Sequence, residues 1–261
     1  MARVYPLFSS SKGNATFIGS PTSGILIDAG VSCKRLSEGL EICGVNADAV
    51  KAIFITHEHS DHVSGLNIFT QKYKIPVYAQ EKTLNSLINS NKISACTKTE
   101  VITSDGLEIN DMYIKCFSTP HDTEQSCGYR INTNDERVIT VCTDLGNITP
   151  EVESNLFGSD FVLLESNYDE QMLKNGRYPY YLKKRILSDH GHLANNICAG
   201  MVKRLLQNGT TRVILGHLSQ ENNTPFVAEK TVLNELNDFS RNKDYILSVA
   251  PVATSGACCV L

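Results

Sequence analysis

A chain of 261 residues, 41% of them hydrophobic, can bury a large core as one domain or as two closely joined halves. A formal charge of -4 and a pI near 6.0 exclude a global basic field that would draw in nucleic acid, but leave room for a local basic patch. The nine cysteines are scattered, odd in number and form no C-x-x-C pair, which argues against a disulfide scaffold and for a reduced, cytoplasmic protein with mostly buried thiols.

The opening MARVYPLFSSSKGN has no apolar core or cleavage-site pattern of a signal peptide. No apolar run approaches the ~20 residues of a membrane span. Three short strands follow, VYPLF, ATFIG and GILIDAG, separated by Ser, Gly and Pro turns. Residues 32–43 read as a helix, with Leu36 and Leu40 four apart. A further helix is expected through Phe69, then a strand at PVYA and a helix around TLNSLIN. Strands are expected within 101–118 and at 127–132 and 137–143. The second half alternates: a helix at 150–157, strand FVLLES, a helix at 192–207, strand RVILGH, a helix at 227–239 and strand YILSVA. The final CCVL formally fits a prenylation box, but no polybasic segment precedes it and it also reads as an apolar strand. Strand-rich and βα segments together predict an α/β chain, residues 1–261 forming one domain of two packed sheets with helices outside.

The chemistry concentrates in FITHEHSDHVSGL, which spends three of the seven histidines within six positions. His57 and His59 lie two apart and share a face in an extended segment, so both can reach one ion. The chain then turns, and Asp61 and His62 can address a second ion nearby. Glu58, between two ligands, is expected to point away. Four β-branched runs each deliver a polar residue at their end: VKAIFIT leads to His57, RVITVCT to Asp144, FVLL to Glu165 and RVILG to His217. Buried strands that hand polar side chains to one edge are how α/β folds build sites. Nitrogen and carboxylate donors without thiolate suit Zn or Mn, with Fe also compatible.

H-x-H-x-D-H at His57–His62, the lone His121 in STPHDT, Asp144 in CTDLG and His217 in LGHLS resemble, in order and spacing, the metallo-β-lactamase superfamily. The resemblance implies a four-layer αββα sandwich with two divalent metal ions at one edge. It assigns His57, His59 and His121 to one ion, Asp61, His62 and His217 to the other, and Asp144 to both. Histidine rather than Glu at position 59 argues against the di-iron flavoprotein branch. No Cys replaces Asp144 or His217, which argues against a true β-lactamase site.

Those seven ligands are shared by thioesterases, lactonases and nucleases, so the substrate class must be read elsewhere. LLES at Glu165 and GHLAN at His192 look like the ribonuclease Z and cyclic-phosphodiesterase branches, where a Glu orients a His that protonates the leaving oxygen. A phosphodiester needs that proton more than a thioester does. His190 is two residues away and could take the role instead. The implied catalytic set is His192, Glu165 and Asp61. Substrate contacts are expected from Ser9, Ser10, Ser11, Lys12 and Asn14 in SSSKGN, which could cradle phosphate. They are also expected from Tyr181, Lys183, Lys184 and Arg185 in RYPYYLKKR, where tyrosines can stack on bases and cations follow phosphates.

SSSKGNAT, LLESNYD, SDHGHLANN and LGHLSQENN look most like the YycJ/WalJ branch, bacterial metallo-hydrolases regarded as 5′-to-3′ DNA exonucleases. The resemblance implies a metal-dependent phosphodiesterase that attacks with a metal-bridging hydroxide and a His general acid. It also implies DNA more than RNA as partner, no membrane association, and a cytoplasmic location. The alternative is a small-molecule thioester or lactone hydrolase of the same superfamily, which gives Glu165 and His192 no role.

Overall fold

The computed structural model describes residues 2–261. The first six strands are β1 (Arg3–Phe8), β2 (Ala15–Ser20), β3 (Ser23–Ile27), β4 (Val50–Phe54), β5 (Val77–Ala79) and β6 (Thr99–Val101). With the last strand, β14 (Cys259–Val260), they form one sheet in the order β14-β1-β2-β3-β4-β5-β6. The other sheet holds β7 (Leu107–Ile109), β8 (Met112–Ser118), β9 (Cys127–Thr133), β10 (Val138–Cys142), β11 (Phe161–Glu165), β12 (Arg212–Gly216) and β13 (Ile246–Val249), in reverse sequence order. CCVL is thus a terminal strand, with Val4 opposite Cys259.

Both faces of the central strands are buried, so they read as unbroken apolar runs, yet alternation still sorts their side chains. In β3, Leu26 packs outward while Ile25 and Ile27 enter the space between the sheets. In β11, Phe161 and Leu163 face between the sheets, and Val162 and Leu164 face the outer helices. Helices α1 (Cys33–Ile42), α3 (Leu66–Tyr73) and α4 (Glu81–Asn89) cover the first sheet through Leu36, Leu40, Leu66, Phe69, Leu84 and Leu87. The one-turn helix α2 (Ser60–Val63) lies between α1 and α3 in the chain. Helices α5 (Pro150–Leu156), α8 (Asn195–Gln207) and α9 (Pro225–Glu235) cover the second sheet. The result is the four-layer αββα arrangement expected from the sequence.

Three details differ from the sequence reading. Two short helices, α6 (Glu170–Asn175) and α7 (Tyr180–Ile186), lie where no regular element is expected. They form an arm with its own small core of Leu173, Ile186, Tyr168 and Ala194. Second, His192 does not open α8, which starts three residues later. The preceding Gly191 packs so closely on the Arg185 and Ile186 carbonyls that a Cβ would sit 2.3 Å from each oxygen. The His192 amide bonds Ile186 and the Leu193 amide bonds Glu165, so neither enters the helical ladder. Third, α9 is shifted towards the N-terminus, because Thr224 caps it and Pro225 occupies its first turn. All nine thiols are free, five of them buried.

Candidate metal centre

Strands β3 and β4 run parallel in one sheet, and β10, β11 and β12 run parallel in the other. Their carboxyl ends converge on one cluster. Beyond β3 stands Asp28, beyond β4 His57, beyond β10 Asp144 and beyond β12 His217, while Glu165 closes β11. Asp28, Asp144 and His217 all carry positive φ, 62°, 58° and 54°. Three non-glycine residues in this sparsely populated conformation at one edge mark backbone held under strain by its surroundings. The turn swings each side chain off the sheet plane towards the cluster.

Six of the seven histidines meet here. Ring centroids are 4.6 Å apart for His57–His59, 4.1 Å for His57–His62, 5.0 Å for His57–His121 and 5.3 Å for His192–His217. His190 is exposed and outside the cluster. Donor atoms fall into three groups within 4.8 Å of one another: His57, His59 and His121; Asp61, His62 and His217; and His57, His62 and Asp144. A fourth, Asp144 with Glu165, His192 and His217, has the same compactness. It is a hydrogen-bonded group, since Glu165 Oε1 accepts from both imidazoles through their Nδ1 atoms.

The first three groups fit divalent cations. His57 Nε2 and His121 Nε2 are buried and have no hydrogen-bond partner. Their other ring nitrogens are engaged: His57 Nδ1 lies 3.0 Å from Thr56 Oγ1, and His121 Nδ1 lies 2.9 Å from the Gly191 carbonyl. A ring that donates through Nδ1 presents a lone pair at Nε2, as a metal ligand must. Asp144 Oδ2 is 3.2 Å from His62 Nε2, and its Oδ1 is 3.7 Å from His121 Nε2 and 3.6 Å from His217 Nε2. One carboxylate therefore faces both triads.

The charge balance favours cations. Burial alone would lower His62 and His217, but the carboxylates outweigh it, Asp144 most of all. His62 is held well above the usual imidazole range and His217 is pushed up to about 10. Burial lowers His57, His59 and His121, which keeps those rings neutral as ligands. Burial would raise Asp144, yet His217 and His62 hold it well below the ordinary carboxylate range.

A supporting layer is less visible from sequence. Asp28 Oδ2 accepts from His62 Nδ1 at 2.7 Å, and Thr56 donates to Asp28 while contacting His57. Asn167 donates to the His217 carbonyl at 2.7 Å. The available signal for Asp28 is its place in ILIDAG, an acidic residue just past a buried strand like Asp144. Gly30 lets this layer close, for a Cβ there would lie 1.7 Å from the Asp61 carbonyl oxygen. Asp28→Asn is expected to weaken metal retention about 10- to 100-fold, the usual cost of losing a carboxylate behind a ligating imidazole. Metal content after dialysis against a graded chelator checks this.

Five of the expected substrate residues are placed differently. Ser9 and Asn14 are buried beneath the cluster. Ser9 Oγ accepts from the His217 amide at 2.8 Å, and Asn14 Nδ2 lies 3.3 Å from Asp61 Oδ2. Ser10 is buried within its own turn, accepting from the Lys12 amide. Lys183 bonds the Lys174 carbonyl at the end of α6, and Arg185 is clamped to Asp122 beside His121. A short polar turn next to a site must satisfy its own buried groups first, which accounts for the placement of Ser9, Ser10 and Asn14. Ser11 remains on the wall of the open cleft, while Lys12, Tyr181 and Lys184 remain exposed. The cleft has about 190 Å³ and is also lined by His59, Asp61, Asp144, His192, His217, Tyr178 and Arg185. A larger apolar groove beside β13 and β14 contains none of this chemistry.

Groups of candidate metal ligands facing one carboxylate, at the carboxyl edge of an αββα sandwich, fit a metal-dependent hydrolase. The sequence profile of the family described as "Beta-lactamase superfamily domain" matches residues 24–218, and the chain belongs to that superfamily, in its YycJ/WalJ-type branch. It is 34% identical over 233 residues to the exodeoxyribonuclease YycJ of Bacillus anthracis, across 89% of this chain and 88% of that one. It is 35% identical over 233 residues to the exodeoxyribonuclease WalJ of Streptococcus pneumoniae, across 88% and 86%. Among solved structures, the metallo-beta-lactamase fold protein YhfI of Bacillus subtilis superposes over the whole of both chains with a TM-score of 0.75 at 16% identity. The short form of human tRNase Z gives 0.62 at 18% identity, across 84% of this chain and 93% of that one. At such identities the two structures speak for the fold alone.

Proposed function

We propose that this chain is a dinuclear metal-dependent phosphodiesterase that degrades DNA from an end, in the 5′-to-3′ direction. His57, His59 and His121 would hold one ion and Asp61, His62 and His217 the other, with Asp144 facing both groups. Zn and Mn suit this nitrogen and carboxylate set, and Fe is compatible with it. When bound, such ions supply an activated water at neutral pH and polarise the phosphoryl oxygen.

The observation that carries the phosphodiester reading is the Glu165–His192 pair. Glu165 is fully buried, and its Oε1 lies 2.8 Å from His192 Nδ1. Burial would raise the Glu165 carboxyl, but His192 and His217 hold it below its ordinary value, so it is ionised. An ionised carboxylate on Nδ1 orients the ring and leaves Nε2 free to deliver a proton to the departing oxygen. Thioester and lactone hydrolysis leave His192 without a task, although Glu165 would still hold His217. The names of the two bacterial relatives support DNA as the polymer.

Incubating the purified protein with Mn²⁺ or Zn²⁺ and end-labelled single- and double-stranded DNA tests this directly. Stepwise shortening from one end is expected, and the label's position reports the direction. No cleavage of any nucleic acid or cyclic nucleotide would sink the proposal.

A further inference from the structure

We infer that Tyr180, Tyr181 and Lys184, on the exposed flank of α7, form a platform on which unpaired bases next to the cleaved phosphate stack. This deepens the nuclease proposal and rests on it. Tyr180 is 82% exposed and Tyr181 74%, the two highest values among the large exposed hydrophobic side chains described. Neither is held by the small core beneath the arm, which is filled by Leu173 and Ile186 with Tyr178 and Leu182 packed on it.

Helical geometry gathers the three side chains. Lys184 is four residues after Tyr180 and three after Tyr181, so it lies between the two rings and beside each of them. The adjoining face, carrying Leu182, Arg185 and Ile186, lines the cleft with Tyr178. The flank therefore begins at the cleft rim and runs outward. Lys184 has no ion-pair or hydrogen-bond partner among the described residues, unlike Lys183 and Arg185.

Charge and size select the occupant. Two open rings around a free ammonium match bases joined by phosphates, since aromatic stacking tolerates any base and the cation follows the backbone. The cleft, about 190 Å³, falls below the roughly 300–1,000 Å³ of pockets that enclose a drug-sized ligand. Bases flanking a phosphate held in this small open cleft lie outside it, against its rim.

The test pairs Tyr180→Leu/Tyr181→Leu with abasic sites in the DNA. On a labelled single-stranded oligonucleotide with Mn²⁺, the double variant is expected to lose about 5- to 150-fold in affinity per ring. Phe at both positions should restore most of it. Abasic sites placed one at a time along the wild-type substrate should show the same loss at one or two positions near the cleaved bond. There the variant should lose little more, because base and ring form one contact. Lys184→Ala should flatten the slope of log affinity against log salt by about 0.7. The kcat for bis-p-nitrophenyl phosphate, whose nitrophenyl rings can stack but whose cleavage at saturation does not need the platform, should be unchanged in every variant. Equal losses on the small diester, or additive losses with every abasic site, overturn the platform. A changed molecular mass in light scattering also overturns it, by making the flank an interface between copies. If the wild-type protein cleaves the small diester and no DNA, it is the nuclease proposal that fails.

Discussion

Asp144→Ala is expected to abolish hydrolysis and to release metal from both triads rather than one. Asp144 is essentially buried, and its two oxygens face His62 on one side and His121 and His217 on the other. Without it, five imidazoles and Asp61 surround a space that has lost its only fully buried carboxylate ligand. The cations would then repel each other with less negative charge between them. Metal content per chain, measured after gel filtration, should fall by more than one ion-equivalent of the wild-type value. Asp144→Asn keeps the shape and one acceptor oxygen, and should retain more metal than Asp144→Ala at little activity. A variant that keeps both ions and normal turnover would remove Asp144 from its bridging role. Since positive φ at this position favours Gly and Asn over Ala, a companion melting curve separates backbone strain from lost ligation. If Asp144→Gly and Asp144→Ala lose metal equally, the carboxylate, not the backbone, is responsible.

Much of this site could be read from the chain because strands are short and their ends are marked. A buried strand announces itself by an apolar run, so the first polar residue after it stands out. His57, Asp144, Glu165 and His217 were legible in this way, and His57, His59, Asp61 and His62 by their density. The supporting residues were not. Ser9 and Asn14 reach His217 and Asp61 across more than 200 and 47 positions respectively, and nothing local in a Ser-rich turn distinguishes an inward hydroxyl from an outward one. The α6–α7 arm was missed because its two helices have six and seven residues, too few to show a period above noise. Its placement also distinguishes the cations of RYPYYLKKR from one another. Of the three cations expected to meet substrate, Lys183 bonds the Lys174 carbonyl and Arg185 pairs with Asp122. Lys184, between them, is exposed.

His192→Ala should cost on the order of 10²–10⁴ in kcat on DNA, the usual range for losing a general acid, with metal content unchanged. The ring is held through Nδ1 by Glu165, and Nδ1 is 3.7 Å from the nearest Asp144 oxygen, so it belongs to the hydrogen-bonded group rather than to a metal triad. Glu165→Gln should behave differently. Glu165 Oε1 also lies 2.9 Å from His217 Nδ1, and Oε2 accepts from the Leu145 and Leu193 amides. An amide has one acceptor oxygen where the carboxylate has two, so some of these four donors lose their partner. This variant should therefore lower both kcat and metal retention, where His192→Ala lowers kcat alone. A p-nitrophenyl phosphodiester, whose leaving group departs without a proton, separates the two effects. His192→Ala should barely slow it, while Glu165→Gln should slow it in proportion to the metal lost. Restoring saturating Mn²⁺ should then recover Glu165→Gln on that substrate, but not His192→Ala on DNA. His190→Ala is the control, since His190 is exposed and outside the cluster. If His192→Ala slows both substrates equally, or if His190→Ala shows the leaving-group dependence instead, the acid has been assigned to the wrong group.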